Sequence, residues 1–246
     1  MNVLSHYKYV FQMQFLRNAG FLVFMILIQI LISIGIVIGF TYLLPAPDTN
    51  SILFLATGAP TIILIFTGLV ILPQQVGTAK SDGYMEFMRT WPVNRGVILG
   101  ADTTIWLIIT LPGIIISSIV AHLMFSPGYD ISWTVIPALL MIALTSIGVG
   151  YGFSYLLSPT ASLALSQVIV FGALMFSPVN FPLERLPEWL QALHQVLPIY
   201  SMAEVMRASL AASTFEATAG NYINLLIWCV LGYGGAIFIL NRKWRA

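Results

Sequence analysis

The sequence predicts an all-α, polytopic membrane protein with six transmembrane helices. Three observations carry that expectation: 59% of the 246 residues are hydrophobic, mean hydropathy is +0.92, and only 8% are charged. A water-soluble domain is roughly half apolar and about a quarter charged. The formal net charge of +1 has no basic run or basic–aromatic interleaving behind it, so nucleic-acid binding is set aside. A lone Cys229 leaves no intrachain disulfide and no cysteine metal cluster to argue from. No composition shift or internal repeat divides the chain, which reads as one transmembrane domain over residues 1–246.

Residues 1–20 lack the short apolar core and small-residue cleavage site of a signal peptide, so the first apolar run reads as an uncleaved anchor. Segmentation follows from charge-free gaps, because a charge at mid-bilayer costs about 2.5–3.5 kcal/mol. Residues 21–44 form the first span and 52–75 the second, with Pro60 and Pro73 as expected kinks. Asp102 and Asp130 enclose the third. Residues 131–183 carry no charge; as one helix they would run about 80 Å, over twice the hydrocarbon thickness. The chain must fold back at Ser158-Pro159-Thr160, giving spans 133–157 and 161–178. The sixth covers residues 221–240.

Six spans place both termini on one face. That face holds Lys8, Arg17, Lys80, Arg89, Arg95, Arg242, Lys243 and Arg245, against Arg185 and Arg207 opposite, so it is expected to be cytoplasmic. Asp48, Asp130, Glu184, Glu188, Glu204 and Glu216 then fall outside. Tyr42, Tyr129, Trp133 and Tyr222 read as outer interfacial anchors, Tyr155 and Trp244 as inner ones.

The largest cytoplasmic loop contains SDGYMEFMRTWPVNR, residues 81–95. Helical spacing puts Tyr84, Phe87, Met88 and Trp91 on one face and Asp82, Glu86 and Arg89 on the other. Such a helix lies in the headgroups or docks on a cytoplasmic partner. Beyond the fifth span, Leu183, Leu186, Leu190, Leu193 and Leu197 form an apolar stripe, with Glu184, Glu188, Gln191 and Gln195 away from it. Pro187 suits a first helical position, and Ser201-Met202-Ala203-Glu204 reads as a capping box that starts a second short helix near Met202.

Two of these stretches carry a family resemblance that spans the chain. Asp82-Gly83, Glu86, Pro92-Val93, Arg95 and Leu99-Gly100 resemble the first cytoplasmic loop of type-2 ATP-binding-cassette (ABC) transporter permeases. Phe181, Pro182, Leu186, Pro187, Trp189, Leu190, Leu197, Pro198 and Arg207 follow the order of that family's outer loop. Ala101, where the family often has Lys, and the sparse Ser81-Asp82 depart from its pattern.

The resemblance implies a coupling helix that docks a separate ATPase through Asp82, Gly83, Tyr84, Glu86, Phe87, Met88, Arg89, Trp91 and Pro92, aided by the turn at 157–161. It implies an outer gate of re-entrant helices between spans five and six, at Phe181, Pro182, Leu186, Pro187, Trp189, Leu190, Pro198, Glu204 and Arg207. Residues 8–17, with a face of Tyr7, Val10, Phe11 and Gln14, would be an N-terminal connecting helix on the cytoplasmic surface. Spans two and five would line the pathway, offering Thr57, Thr61, Thr67, Ser162, Ser166 and Gln167. A lining so free of charge suits amphipathic, lipid-like or drug-like cargo.

The chain has no G-x-x-x-x-G-K-[ST] phosphate loop, so the expected ATP and Mg²⁺ belong to the partner. The expected assembly is two nucleotide-binding ATPase subunits with a second copy or a related permease, exporting by alternating access across a prokaryotic plasma (inner) membrane. Membrane lipid is the remaining partner. The alternative is a non-transporting integral scaffold or a membrane enzyme; no nucleophile-elbow triad or H-E-x-x-H favours the enzyme. His122 and His194 lack partners at metal-ligand spacing. Asp102 reads as an acidic residue favoured by the macrodipole at the start of span three. The small-residue spacings Gly35/Gly39, Gly96/Gly100 and Gly148/Gly150/Gly152 read as helix packing.

Overall fold

A computed structural model describes residues 3–43 and 49–243. Leu44, Asp48, Trp244 and Arg245, to which positions were assigned above, lie outside the described residues. Among the described residues, helices dominate: α1 (Val3–Leu43), α2 (Thr49–Phe66), α3 (Leu72–Ser81), α4 (Tyr84–Arg89), α5 (Arg95–Phe125), α6 (Val135–Leu156), α7 (Pro159–Phe176), α8 (Glu188–Val196), α9 (Pro198–Leu210) and α10 (Ala219–Lys243). Six stretches are long and apolar enough to cross a membrane: Val3–Gly39, Ser51–Ser81, Arg95–Phe125, Val135–Leu156, Pro159–Phe176 and Ala219–Arg242. Each matches one predicted span, and α8 and α9 are too short to cross.

The second span is the axis of the bundle. Its most apolar stretch is 94% buried, against 17% for the last span. α2 and α3 are joined by a π-helix, Thr67–Ile71, directly before Pro73. A proline cannot donate to the carbonyl four residues back and its ring clashes there, so a widened turn relieves the ladder. This is the expected irregularity at Pro73, in the form of an added residue. Pro60 leaves α2 unbroken, but it strips the Ala56 carbonyl of its helical donor; the Tyr129 hydroxyl takes that role at 3.1 Å. Tyr129 is therefore tied to the second span.

Around this axis α1 packs along α5, α6 along α10, and α3 against α7. The glycines expected to pack do so selectively. A Cβ on Gly150 would lie 2.0 Å from the Gly68 carbonyl oxygen in the π-turn, and one on Gly232 would lie 2.3 Å from the Gly148 carbonyl carbon. Gly150 thus admits the axis on one face of α6, while Gly148 and Gly152 admit α10 on the other. Gly35 and Gly39 meet nothing within 4 Å.

Three expectations about helix ends are corrected. Residues 8–17 are not a separate connecting helix: α1 runs unbroken for 41 residues, about 60 Å. A single Gly20 costs only about 1 kcal/mol and no proline intervenes. The predicted face is real but packs on α5, with Val10 and Gln14 buried and the Tyr7 hydroxyl 2.6 Å from Thr104 Oγ1. Second, α5 starts at Arg95, capped by Asn94 Oδ1, which accepts from the Gly96 N–H at 2.8 Å. Asp102 lies two turns inside, where the macrodipole no longer acts, and accepts a hydrogen bond from the Tyr151 hydroxyl instead. Third, Ser201 caps nothing. Pro198 starts α9 at a position that needs no N–H, which leaves Ser201 buried inside the helix and Glu204 facing Arg207.

Candidate functional site

The loop between α3 and α5 is built by one backbone requirement. Gly83 has φ +72°, a left-handed conformation that costs little only for glycine, and it ends α3 at Asp82 and turns the chain into α4. The expected two-faced helix over this loop is corrected to a single short helix of six residues, with Trp91 in the turn beyond it. Tyr84, Phe87 and Trp91 still meet: Phe87 and Trp91 pack edge to face at 5.5 Å, and Tyr84 and Trp91 at 6.4 Å. The inward face was misassigned in part. Met85 and Met88 enter the core, whereas Phe87 is 53% exposed beside exposed Asp82, Glu86 and Pro92. The side chain of Arg89 is outside the described set. Arg95 closes the turn by donating to the carbonyls of Val93 at 2.8 Å and Trp91 at 3.3 Å.

The residue that joins this loop to the rest of its face is Lys80, which sequence reasoning counted only as a charge. Its Nζ donates to the carbonyls of Ser154 (2.5 Å), Tyr155 (3.2 Å) and Leu157 (2.8 Å), the orphan acceptors at the C-terminus of α6. Gly77, one turn earlier, lets Pro159 of α7 approach: a Cβ there would lie 3.6 Å from the Pro159 side chain. Ser158 caps α7, accepting from the Ala161 N–H at 3.3 Å. The two short connections on this side, residues 82–94 and 157–158, are thereby held to one scaffold, and Leu156, Ser158 and Thr160 are exposed beside them. Behind α4, the Arg17 guanidinium lies 3.3 Å from the centre of the Tyr84 ring. Burial raises the Tyr84 phenol above its ordinary pKa, and Arg17 opposes that shift.

On the opposite side the expected gate residues separate into two groups. α9 is a core helix, with Pro198, Met202, Met206 and Arg207 buried against α2, α6 and α10. Arg207, 0% exposed, pairs with Glu204 and donates through Nη2 to the carbonyls of Pro178 (2.9 Å) and Val179 (2.5 Å). Its guanidinium stacks 4.3 Å from the Phe54 ring centre, and Phe54 packs edge to face on Phe215. Burial raises the Glu204 carboxyl above its usual range even though Arg207 pulls it down, so desolvation outweighs the attraction. The chain after α9 is stitched to the α5–α6 loop: Asp130 N–H donates to Leu210 O at 3.0 Å and Ala212 N–H to Asp130 O at 3.0 Å.

The second group lies outside this core. Residues Phe181, Pro182 and Leu190 are half-buried, and Leu186 ends a 3₁₀ turn, Leu183–Arg185. Pro187 sits just before α8 rather than inside it, and Trp189 is 70% exposed. The expected leucine stripe only partly packs, since Leu193 is exposed with Val196. Asn224 and Trp228 of α10 hold the end of α8 through the Val196 carbonyl, both at 2.9 Å.

The residues expected along the pathway lie inside the bundle in this structure. Thr57, Thr61 and Thr67 are fully buried in the axis and donate to their own helix, to Leu53 O (2.7 Å), Thr57 O (3.2 Å) and Ile63 O (2.8 Å). Ser162 and Ser166 are buried between α7 and its neighbours, leaving Gln167 as the half-exposed member. In this conformation the hydroxyls of Thr57, Thr61, Thr67 and Ser166 donate to backbone carbonyls one turn earlier, whereas Ser162 Oγ has no partner.

A search of curated proteins gives no match. The sequence model of the family described as ABC-2 type transporter matches residues 7–211, which runs from the first turns of α1 through the end of α9. Both the Gly83-broken loop and the buried Arg207 hub fall within that match. Six apolar helices, with most of the chain under one family description, make this protein a non-catalytic membrane permease subunit of the ABC-2 type transporter family.

Proposed function

We propose that this permease is the membrane half of an ATP-driven exporter, and that residues 81–95 with the 157–161 turn receive a cytoplasmic ATPase. The observation that carries the reading is the Lys80 bond set. It joins the α3–α5 loop to the α6–α7 connection, so a force applied at α4 reaches spans two, four and five together. The exposed surface there mixes acidic Asp82 and Glu86 with apolar Phe87 and Leu156, the composition of a protein-docking patch. The excess of Lys and Arg on this side supports a cytoplasmic placement of the patch and of both termini.

Two ATPase subunits, carrying ATP and Mg²⁺, would rock this chain against a second copy or a related permease between inward-open and outward-open states. α8 and α9 would roof the outer end as a re-entrant pair, with Arg207 as its fixed point. Walls without charge favour amphipathic, lipid-like or drug-like cargo. The plasma (inner) membrane of a prokaryote is the setting this reading assigns.

The test is copurification followed by cargo-stimulated ATPase measurement in nanodiscs. Glu86→Ala and Phe87→Ala are expected to lower stimulation at least severalfold while leaving membrane insertion unchanged. Stimulation equal to wild type in both variants, or a protein that recovers no ATPase partner at all, sinks the docking reading.

A further inference from the structure

Span five is held at its two ends and hardly between them. Its most apolar stretch is only 22% buried, and the buried side chains of α7 fall on one line, Ser162, Ser166, Val170 and Ala173. The helix packs on α3 and the π-turn, the inner half of the axis, but makes scarcely any contact with α2, the outer half. Val168, Phe171, Met175 and Phe176 are exposed. Directly beyond them, at the end of the bundle that carries α8 and α9, the chain returns to the axis. The Val179 N–H donates to the Ser177 carbonyl at 2.8 Å, which closes a three-residue turn, and Ser177 and Val179 are buried.

Two features fit this turn to span two. A Cβ on Gly58 would lie 2.4 Å from Asn180 Oδ1 and 2.7 Å from the Val179 carbonyl oxygen, so the turn reaches α2 only because residue 58 has no side chain. The Pro178 and Val179 carbonyls take their donors from Arg207, which stacks on Phe54, one turn from Gly58 on the same face of α2. Gly58 lies about 13 Å along α2 from its outer start. Irregular backbone at such a depth persists only where protein satisfies its carbonyls. Released from Arg207, the turn would carry two unmet acceptors, and the aqueous outer surface is where water meets them. Arg207 cannot follow, because α9 is packed against α2, α6 and α10. The helix between Gly77 and Gly58 is about 28 Å long and α7, with 18 residues, about 27 Å, so one helix length separates the Pro159 contact on Gly77 from the seat at Gly58.

We propose that span five is a hinged element, fixed at its inner end where Pro159 meets Gly77 and held at its outer end by one latch, the 177–180 turn seated on Gly58 and gripped by Arg207. Opening the latch parts the outer half of span five from the axis while the rest of the bundle stays packed. The inference concerns only this chain in a bilayer and stands or falls apart from ATPase docking.

The experiment is double electron–electron resonance on the full chain in nanodiscs, with Cys229, the single native cysteine, replaced by serine. Spin labels go on two pairs of exposed sites, Met175 with Ser213 at the outer end and Thr160 with Thr78 at the inner end. Gly58→Ala unseats the turn; Arg207→Lys keeps a charge before Glu204 but cannot fork onto two carbonyls. Each should raise the longer-distance fraction of the outer pair about tenfold, the scale of one charge-assisted hydrogen bond, and leave the inner pair unchanged. Gly35→Ala, with open space around it, should match wild type for both pairs. An outer distance unchanged in either variant overturns the proposal. So does an equal change in both pairs, which would mean a loosened bundle and not a released latch. If Arg207→Lys does not fold, Gly58→Ala decides alone, and the reverse.

Discussion

Replacing Arg207 with methionine tests whether the outer half of the bundle is organised by one buried cation. Methionine keeps much of the volume but removes two donated hydrogen bonds, to Pro178 and Val179, the stacking on Phe54 and the charge that faces Glu204. Removing one partner of a buried ion pair costs about 3–5 kcal/mol, chiefly because the other charge is left desolvated and alone. At about 2–4 °C per kcal/mol for a chain of this length, the apparent melting temperature should fall by roughly 6–20 °C. The assay is the fraction that remains monodisperse after heating in nanodiscs, which reports kinetic stability and is compared at one fixed heating rate. Because desolvation of Glu204 outweighs its attraction to Arg207, the double variant Glu204→Gln, Arg207→Met should be more stable than Arg207→Met alone. A melting temperature within about 2 °C of wild type for Arg207→Met, or a double variant no more stable than it, would refute the assignment.

Two further substitutions probe the axis and its lower end. Gly150→Ala places a methyl 2.0 Å from a backbone oxygen that no side-chain rotation relieves; it should cost at least about 1–3 kcal/mol by overpacking, whereas Gly35→Ala should be neutral or slightly stabilising. Equal melting temperatures for the two variants would show that the α6 contact yields easily. Lys80→Met leaves three carbonyls at the end of α6 without their donor, so hydrogen exchange over residues 151–160 should accelerate severalfold, with a smaller change in global stability because Lys80 is only partly buried. Unchanged exchange there would deny Lys80 its capping role and weaken the link between the two loops.

The helix count and the sites of chain reversal were legible in the sequence because they depend on quantities summed over many residues. A charge-free run that as one helix would be about 80 Å long, more than one bilayer can hold, and a Ser-Pro break at 158–159 leave few alternatives. The apolar and acidic content of the loop at 82–95 was visible in the sequence, but its break at Gly83 and the pairing of Glu204 with Arg207, in place of the expected capping box, were not.

What the sequence left open were partners distant along the chain. Lys80 looked like one more positive charge until α6 ended beside it, and Asp102 looked like a dipole residue until Tyr151, 49 positions later, faced it. Pro60 signalled a carbonyl in need of a donor, but not that Tyr129, 73 positions on from Ala56, would supply it. That the threonines of the second span lie in the most buried span, bonded to their own helix, was likewise not readable from their spacing. Composition and periodicity determine that each helix is made and that it enters the membrane, since those energies are local and additive. Which buried polar group meets which is decided by tertiary packing, because only there does the cost of an unmet donor or acceptor select one arrangement.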